Sequence, residues 1–250
     1  MSTTDTSAGA KNDGRFAHTL GEEYELLLKS MPHYSEVQWR IGQIIGKRFE
    51  GKPVSKVKVL EIGCGTGITT RAILGCDVRT EIWAVDNEKV MLEQARAMVK
   101  GLRAQSRVHF EQHDILVFLG TVPDSYFDVV ASAWVLHNFE NGLREEIMKE
   151  IYRVLKPGGL FVNGDKYAHD DLAERASRLA EQIRRFDVYD GMGRSDYKAE
   201  WIAHYVQDER PEVIWIEGEA KKQMHRLGFE MVGPIYRCLM EAVMVGTKPV

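Results

Sequence analysis

The stretch Val59-Leu-Glu-Ile-Gly-Cys-Gly-Thr-Gly67 decides how the rest of the chain reads. An apolar strand ends at Glu61 and Ile62, three glycines follow at alternate positions, and a helical pattern starts at Ile68. Glycines let the backbone turn tightly and approach a ligand closely. A dinucleotide fold prefers G-x-G-x-x-G, whereas this turn is G-x-G-x-G with an acid two residues before its first glycine. A carboxylate there suits a cation such as an amino-acid ammonium better than a pyrophosphate. The plain alternative is a tight turn with no ligand.

Working outward, strands and helices alternate. Strands are expected at Val57–Ile62, Glu81–Val85, Arg107–Gln112, Phe127–Ala133 and Leu160–Asn163, the last after a sharp turn at Lys156-Pro-Gly-Gly159. Helices are expected at Ile68–Leu74, Glu88–Val99 and Leu143–Leu155. This spacing implies βαβ units and a parallel sheet, an α/β fold. Upstream, residues 16–49 are helical, with a break at Pro32. Downstream, residues 168–186 and 218–227 are helical, and two final strands, Glu230–Gly233 and Tyr236–Val245, flank Pro234. The expected organisation is a mobile tail (1–15), an N-terminal helical segment (16–54), a core (55–165), a cap inserted after strand five (166–212) and a segment completing the sheet (213–250).

The second strand ends in Asp86, 19 residues after Gly67, near the distance of a ribose-binding carboxylate. A helix N-cap is the alternative, and the two roles are compatible. Asp114 ends the third strand, where it could accept from an adenine amino group while Ile115 packs on the ring. Alone it would read as a surface aspartate. Glu61, Asp86 and Asp114 together form a row of acids at consecutive strand ends.

Composition narrows the classes. The 250 residues hold 33 Lys plus Arg against 37 Asp plus Glu, a formal net charge of −4 that argues against a general nucleic-acid binder. Hydrophobic residues at 44% and charged residues at 28% exclude global disorder. Three cysteines without a C-x-x-C pair suggest free thiols in a reducing compartment. With neither a signal-like apolar stretch nor a bilayer-length one, the chain reads as cytoplasmic, with no membrane partner. His109 and His113 lie four apart in a segment that reads as strand into turn, a poor metal pair, and no metal is expected.

These residues together resemble the class I S-adenosylmethionine-dependent methyltransferases. Glu61-x-Gly63-x-Gly65-x-Gly67 looks like their first motif, Asp86 like their ribose acid and Asp114 like their adenine-side acid. Phe127-Asp-Val-Val130 and Leu155-Lys-Pro-Gly-Gly-Leu160 resemble their fourth strand and the turn before strand five. The resemblance implies a Rossmann-like, doubly wound sheet of seven strands, mostly parallel with an antiparallel last strand, and S-adenosyl-L-methionine as cofactor. The expected cofactor set is Tyr34, Glu61, Gly63, Gly65, Thr66, Gly67, Asp86, Asn87, Met91, Asp114, Ile115, Ala133 and Trp134. The longer layout, with Met31-Pro-His-Tyr34 at entry, resembles bacterial carboxy-S-adenosylmethionine synthases of tRNA wobble-uridine modification. That family implies a tyrosine at Tyr34 reaching the cofactor's amino-acid end, an arginine in the insertion holding an extra carboxylate, and a homodimer. Here Lys198 and the shifted Arg194 are the cations near that place, which favours plain methyl transfer.

Methyl transfer from a sulfonium is an in-line displacement in which positioning dominates, and a base is needed only if the nucleophile must lose a proton. His137, Tyr197 and His204 are the candidate catalytic side chains. For His137 the alternative is a loop-packing role. Lys166, Tyr167, Arg194, Trp201 and Tyr205 are the candidate cap residues. Trp201, His204 and Tyr205 share a helix face, as a lid over the substrate or as aromatic packing of the insertion. The leading reading is methylation of a small-molecule acceptor, a metabolite or natural product. The alternatives are a carboxy-S-adenosylmethionine synthase-like enzyme and a non-catalytic nucleotide-binding protein.

Overall fold

A computed structural model of the chain describes residues 24–31 and 33–250. The expected tail, the start of the N-terminal helical segment and the break at Pro32 lie outside the described residues. Tyr24–Lys29 forms a 3-10 turn, and the first α-helix, α1, spans Tyr34–Phe49. Then follow β1 (Val57–Ile62), α2 (Ile68–Cys76), β2 (Thr80–Asp86), α3 (Lys89–Val99), β3 (Val108–Gln112), α4 (Ile115–Thr121), β4 (Phe127–Ala133), α5 (Asn141–Val154) and β5 (Leu155–Lys166). The chain continues through α6 (Leu172–Arg185), α7 (Ser195–Gln207), α8 (Glu217–Leu227), β6 (Glu230–Cys238) and β7 (Glu241–Thr247).

The strands form one sheet of order β3-β2-β1-β4-β5-β7-β6. The contacts from β3 to β5 are parallel, and β7 runs antiparallel between β5 and β6. The central strands are largely buried and mostly apolar because helices cover both faces. On one face Val37, Ile41 and Ile45 of α1 join Ile73 of α2 and Leu92 of α3 over Val59, Ala84 and Val162. On the other, Ile115 of α4, Ile147 and Ile151 of α5 and Met224 of α8 pack on Leu60, Val130 and Phe161. The chain leaves β1 in one direction along the sheet and β4 in the other. This switch opens a crevice at the carboxyl ends of β1 and β4, where open α/β sheets bind ligands.

Three expectations are corrected. First, Lys156-Pro-Gly-Gly159 is not a turn before the strand but an irregularity inside β5. Phe127 pairs with Leu155 and Val129 with Leu160, so the extra residues loop out of register. Second, Ile115–Thr121 is a helix between strands three and four. Asp114 caps it, accepting from the Leu116 and Val117 amides. Third, Pro234 does not separate the last two strands. It lies within β6, at a register shift, and the chain turns at Leu239 and Met240. As β6 is the sheet's edge, a residue without an N–H costs no interior ladder bond there.

Two buried features set the position of the crevice. Gly164 on β5 lies under α1, and a β-carbon there would fall 2.5 Å from Val37 Cγ1. Arg144 on α5 is 1% exposed. Its guanidinium donates to the Val213 carbonyl at 2.8 Å, to the Leu136 carbonyl at 3.4 Å and to Asn141, and it lies over the Trp215 ring. It thereby ties the turn after β4 to the segment following α7. Gly164→Val should lower stability by about 2 kcal/mol, because α1 cannot dock without repacking. Thermal unfolding should show a midpoint about 4–8 °C lower; an unchanged midpoint would mean that α1 does not rest on β5 at this glycine.

Candidate cofactor and acceptor site

The crevice holds a cavity of about 160 Å³. Its floor is the glycine turn. Gly63 and Gly65 have φ of 62° and 52°, the left-handed region that glycine enters without strain. A β-carbon on Gly63 would collide with Val135 Cγ2 at 2.3 Å, whereas one on Gly65 would meet nothing within 4 Å. The open side of Gly65 is therefore the surface that a ligand approaches. Gly67 differs from the expectation. It does not line the cavity, and it serves instead as the left-handed N-cap of α2, where a β-carbon would meet Ala95 Cα at 2.8 Å. Its role is close helix packing.

The three acids take distinct positions. Glu61 is 1% exposed and lies behind the turn rather than in the cavity wall. Thr70 Oγ1 donates to its Oε2 at 2.6 Å, and its Oε1 has no hydrogen-bond partner among the described residues. Burial pushes the Glu61 carboxyl up to about 8; the Thr70 hydrogen bond opposes this and the Asp86 charge adds to it. Asp86 lines the cavity. Its Oδ2 accepts from the Gly65 amide and its Oδ1 from the Glu88 amide, each at 2.9 Å. Burial raises its carboxyl above the usual range, against the pull of those two amides. Each Asp86 oxygen retains a second lone pair, as a pair of ribose hydroxyls requires. Asp114 also borders the cavity, its side chain held at the N-terminus of α4. Asn87, Met91 and Ile115 complete the adenosine end of the wall.

The other end is roofed by aromatics. Tyr34 and Trp134 stack with ring centres 4.3 Å apart and planes 19° apart. Trp134, just past Ala133, has φ of 53°, a strained value for a large side chain. Hydrogen bonds hold it there: its amide donates to the Gly164 carbonyl, and Asn138 Nδ2 donates to its own carbonyl. The Tyr34–Trp134 pair also lines a second cavity of about 10 Å³, with Gln182, Arg185 and Glu241. That is room for roughly one water.

Other expected residues lie elsewhere. Tyr197, Trp201 and Tyr205 are buried in one aromatic cluster with Phe186 and Tyr189, so the shared face of α7 packs the insertion. Tyr167 is buried on the opposite face of the sheet against Trp215, with Asn163 donating to its hydroxyl, and is not a cap residue. Arg194 is held by Asp196, and Lys198 by Asp187 and Asp190, so both cations belong to surface ion pairs, and neither lines these two cavities. Lys166 is buried on Asp208 at 3.2 Å. His137 and His204 do come together, with ring centres 6.1 Å apart on either side of Asp208. His109 pairs with Glu81 while His113 lines the cofactor cavity, so they form no common site.

Sequence reasoning missed Gln38, His113, Val135, Asn138 and Phe139 in the first cavity and Gln182, Arg185 and Glu241 in the second. Gln38 carries a readable signal, as a polar residue on the apolar face formed by Val37, Ile41 and Ile45. Its Oε1 is buried without a partner among the described residues.

These residues fit S-adenosylmethionine. Gly65 offers an open backbone surface and Asp86 two acceptors for a ribose, and the orphaned oxygen of Glu61 would be satisfied by an ammonium that reaches behind the turn. Residues 59–159 form an S-adenosylmethionine-dependent methyltransferase domain, with S-adenosylmethionine as its cofactor. The sequence profile of the methyltransferase domain family matches residues 59–159. Carboxy-S-adenosyl-L-methionine synthase of Photorhabdus laumondii is 25% identical over 236 residues, covering 90% of this chain and 86% of the relative. The enzyme of the same name from Photobacterium profundum is 26% identical over 236 residues, covering 90% of this chain and 87% of the relative. Among solved structures, the CurJ carbon methyltransferase superposes with a TM-score of 0.62 at 20% identity, over 85% of this chain and 54% of that one. The S-adenosylmethionine-dependent methyltransferase SibL gives 0.55 at 17%, over 84% and 56%. This chain therefore spans little more than half of those two structures, and at such identity they share its fold. Among the described residues no helix is long and apolar enough to cross a membrane.

Two outcomes test the cofactor geometry. Asp86→Ala should weaken binding of S-adenosylhomocysteine about 10- to 150-fold, the equivalent of roughly 1.5–3 kcal/mol for charge-assisted hydrogen bonds. Calorimetric titration reads it, and unchanged affinity would remove the ribose assignment. The second concerns Glu61. A carboxyl raised to about 8 is protonated at neutral pH and must ionise to face an ammonium. Affinity should therefore rise between pH 6 and 7.5, by up to about tenfold per unit, with release of a proton on binding. Glu61→Gln should bind more weakly with a flat pH profile; an equally steep profile would assign the proton to another group.

Proposed function

We propose that this protein transfers a methyl group from S-adenosylmethionine to a small protic acceptor at the Tyr34–Trp134 end of the crevice, with Glu241 as the group that takes the acceptor's proton. The observation that carries this reading is the placement of Glu241. It begins β7, paired with Lys166 across the β5–β7 ladder, and lines the small cavity beside the stacked rings. Its Oε1 is buried without a partner among the described residues. Burial pushes its carboxyl up to about 7, while its own backbone amide and the nearby Lys166, His137 and Arg185 charges pull the other way. A carboxyl poised near neutrality suits general-base work.

Bound S-adenosylmethionine supplies a methyl already activated by the sulfonium. The chain's own residues then orient and desolvate. Asp86 and Glu61 fix the two polar ends, and the Tyr34–Trp134 pair shields the reacting end from water. Positioning of this kind accounts for about 7–11 kcal/mol of barrier in well-oriented reactions.

A specific observation supports a second reading, carboxy-S-adenosylmethionine formation. Arg185, an arginine of the cap, lines the same small cavity as Tyr34, and the curated relatives bear that name. Arg185, rather than Arg194 or Lys198, would then meet the extra carboxylate. Mass spectrometry of the small molecule released on denaturation separates the two. S-adenosylmethionine or S-adenosylhomocysteine is expected, and a carboxylated sulfonium would replace the first reading with the second. For the base, acceptors are screened by S-adenosylhomocysteine release. With any that turns over, Glu241→Gln should lower the rate at least about 100-fold. The wild-type rate should rise with pH through about 7 as Glu241 ionises, and the variant should lose that slope. A variant that keeps rate and slope would exclude Glu241 as the base.

A further inference from the structure

Behind Trp134, away from the cofactor cavity, three donor groups from two parts of the chain converge. His137 lies in the 3-10 turn Leu136–Asn138 after β4. His204 lies on α7 and Asp208 is its C-cap residue, four positions on, so both project from one helix face. All three are buried, at 6%, 6% and 4% exposure. Asp208 Oδ2 lies 3.7 Å from His137 Nε2 and 3.6 Å from His204 Nε2. One ligand atom from each residue falls within 4.8 Å of the others.

These separations are too long for hydrogen bonds. They are close to the spacing around a small metal ion, where tetrahedral ligands at about 2.0–2.1 Å from zinc lie about 3.4 Å apart. A contraction of a few tenths of an ångström would bring both imidazole–carboxylate separations to that value. The orientation of His137 points the same way. Its Nδ1 lies 2.5 Å from Asp165 Oδ1, and a carboxylate only accepts, so Nδ1 holds the proton and Nε2 is turned toward the cluster. A carboxylate behind a histidine is the usual support of a metal-bound imidazole.

The charge around the cluster also calls for a cation. Asp165, Asp208 and Glu241 are buried there with two buried cations, the Arg144 guanidinium, whose charge acts on Asp165 and Asp208, and the Lys166 ammonium. That ammonium sits 3.2 Å from Asp208 Oδ2, whereas Asp208 Oδ1 is buried with no partner among the described residues. Buried carboxylates without compensation are expensive. Two imidazoles and a half-satisfied carboxylate in one buried cluster are the donors that divalent zinc-class ions select.

We propose that His137, His204 and Asp208 bind one divalent transition-metal ion of the zinc class, with Asp165 orienting His137 and the ion fastening cap helix α7 to the turn after β4. The proposal is independent of the acceptor and of the base, since it is read by metal content.

The test uses full-length, tag-free protein from zinc-supplemented medium, analysed for metal by plasma mass spectrometry. About one zinc per chain is expected. After chelator treatment, zinc ion alone is titrated calorimetrically, and cobalt ion alone is followed by its visible absorption. His204→Ala should weaken zinc binding at least 100-fold and abolish the rise of the unfolding midpoint with zinc. His204→Gln serves if the alanine variant does not fold, and His109→Ala should bind as the parent does. Wild-type protein that carries no zinc and gives a flat titration would overturn the proposal. Undiminished binding in folded His204 variants would overturn it equally, as the ion would then sit elsewhere.

Discussion

The carboxylate of Asp165 is the point on which the functional end of the molecule turns. It has no exposure to solvent, yet it lies near the end of a central strand. A buried charge of this kind persists only if donors surround it. Five do: the amides of Leu136, His137 and Lys166, the Asn163 side chain, and the His137 ring. Two of these amides and the ring belong to the turn after β4, so β5 dictates the course of that turn. The turn in turn carries Val135, Asn138 and Phe139 into the cofactor cavity while holding His137 out of it. Trp134, with its left-handed backbone, is the hinge between these two directions.

The crevice thus has two differently built halves. The adenosine half rests on local chemistry, with acids at the ends of successive strands and a glycine turn whose open side faces the ligand. The reacting half is assembled from distant pieces of chain: Tyr34 from the N-terminal helix, Trp134 from β4, Arg185 from the cap and Glu241 from the last strand. A shared core scaffold with a reacting half assembled in this way lets one fold serve many acceptors.

This division also explains what could be read from sequence. The strands Val57–Ile62 and Phe127–Ala133 were legible to the residue because both are apolar, short and bounded by turn residues. The places of Asp86, Gly63 and Gly65 on the cavity wall were legible because each sits beside its own strand end. Helix α4 was hidden, since seven residues rich in Leu, Val and Phe have the length of a strand and only Asp114 marks a cap. Pro234 misled because whether a proline breaks a strand depends on which edge that strand occupies, a property of topology. Tyr167 and Tyr197 were misplaced for a related reason: a lid and a core use the same aromatic side chains, and the sequence does not say which surface they meet. Glu241 gave no signal, because a buried carboxylate differs from an exposed one only in neighbours brought by remote segments.

The antiparallel placement of β7 has a consequence for how the protein is made. Strand β5, with Asp165 and Lys166 at its end, pairs along Leu160–Lys166 with β7, whose last residue is Thr247 in a chain of 250. Until β7 leaves the ribosome, β5 presents an open strand edge, and Glu241 is not yet beside the small cavity. A nascent chain therefore holds its glycine turn and Asp86 before it can close the Tyr34–Trp134 end of the crevice. An unpaired central strand at this stage is a template for pairing with other chains. Synthesis that stops short of the β6–β7 hairpin leaves a species prone to association rather than a weaker enzyme.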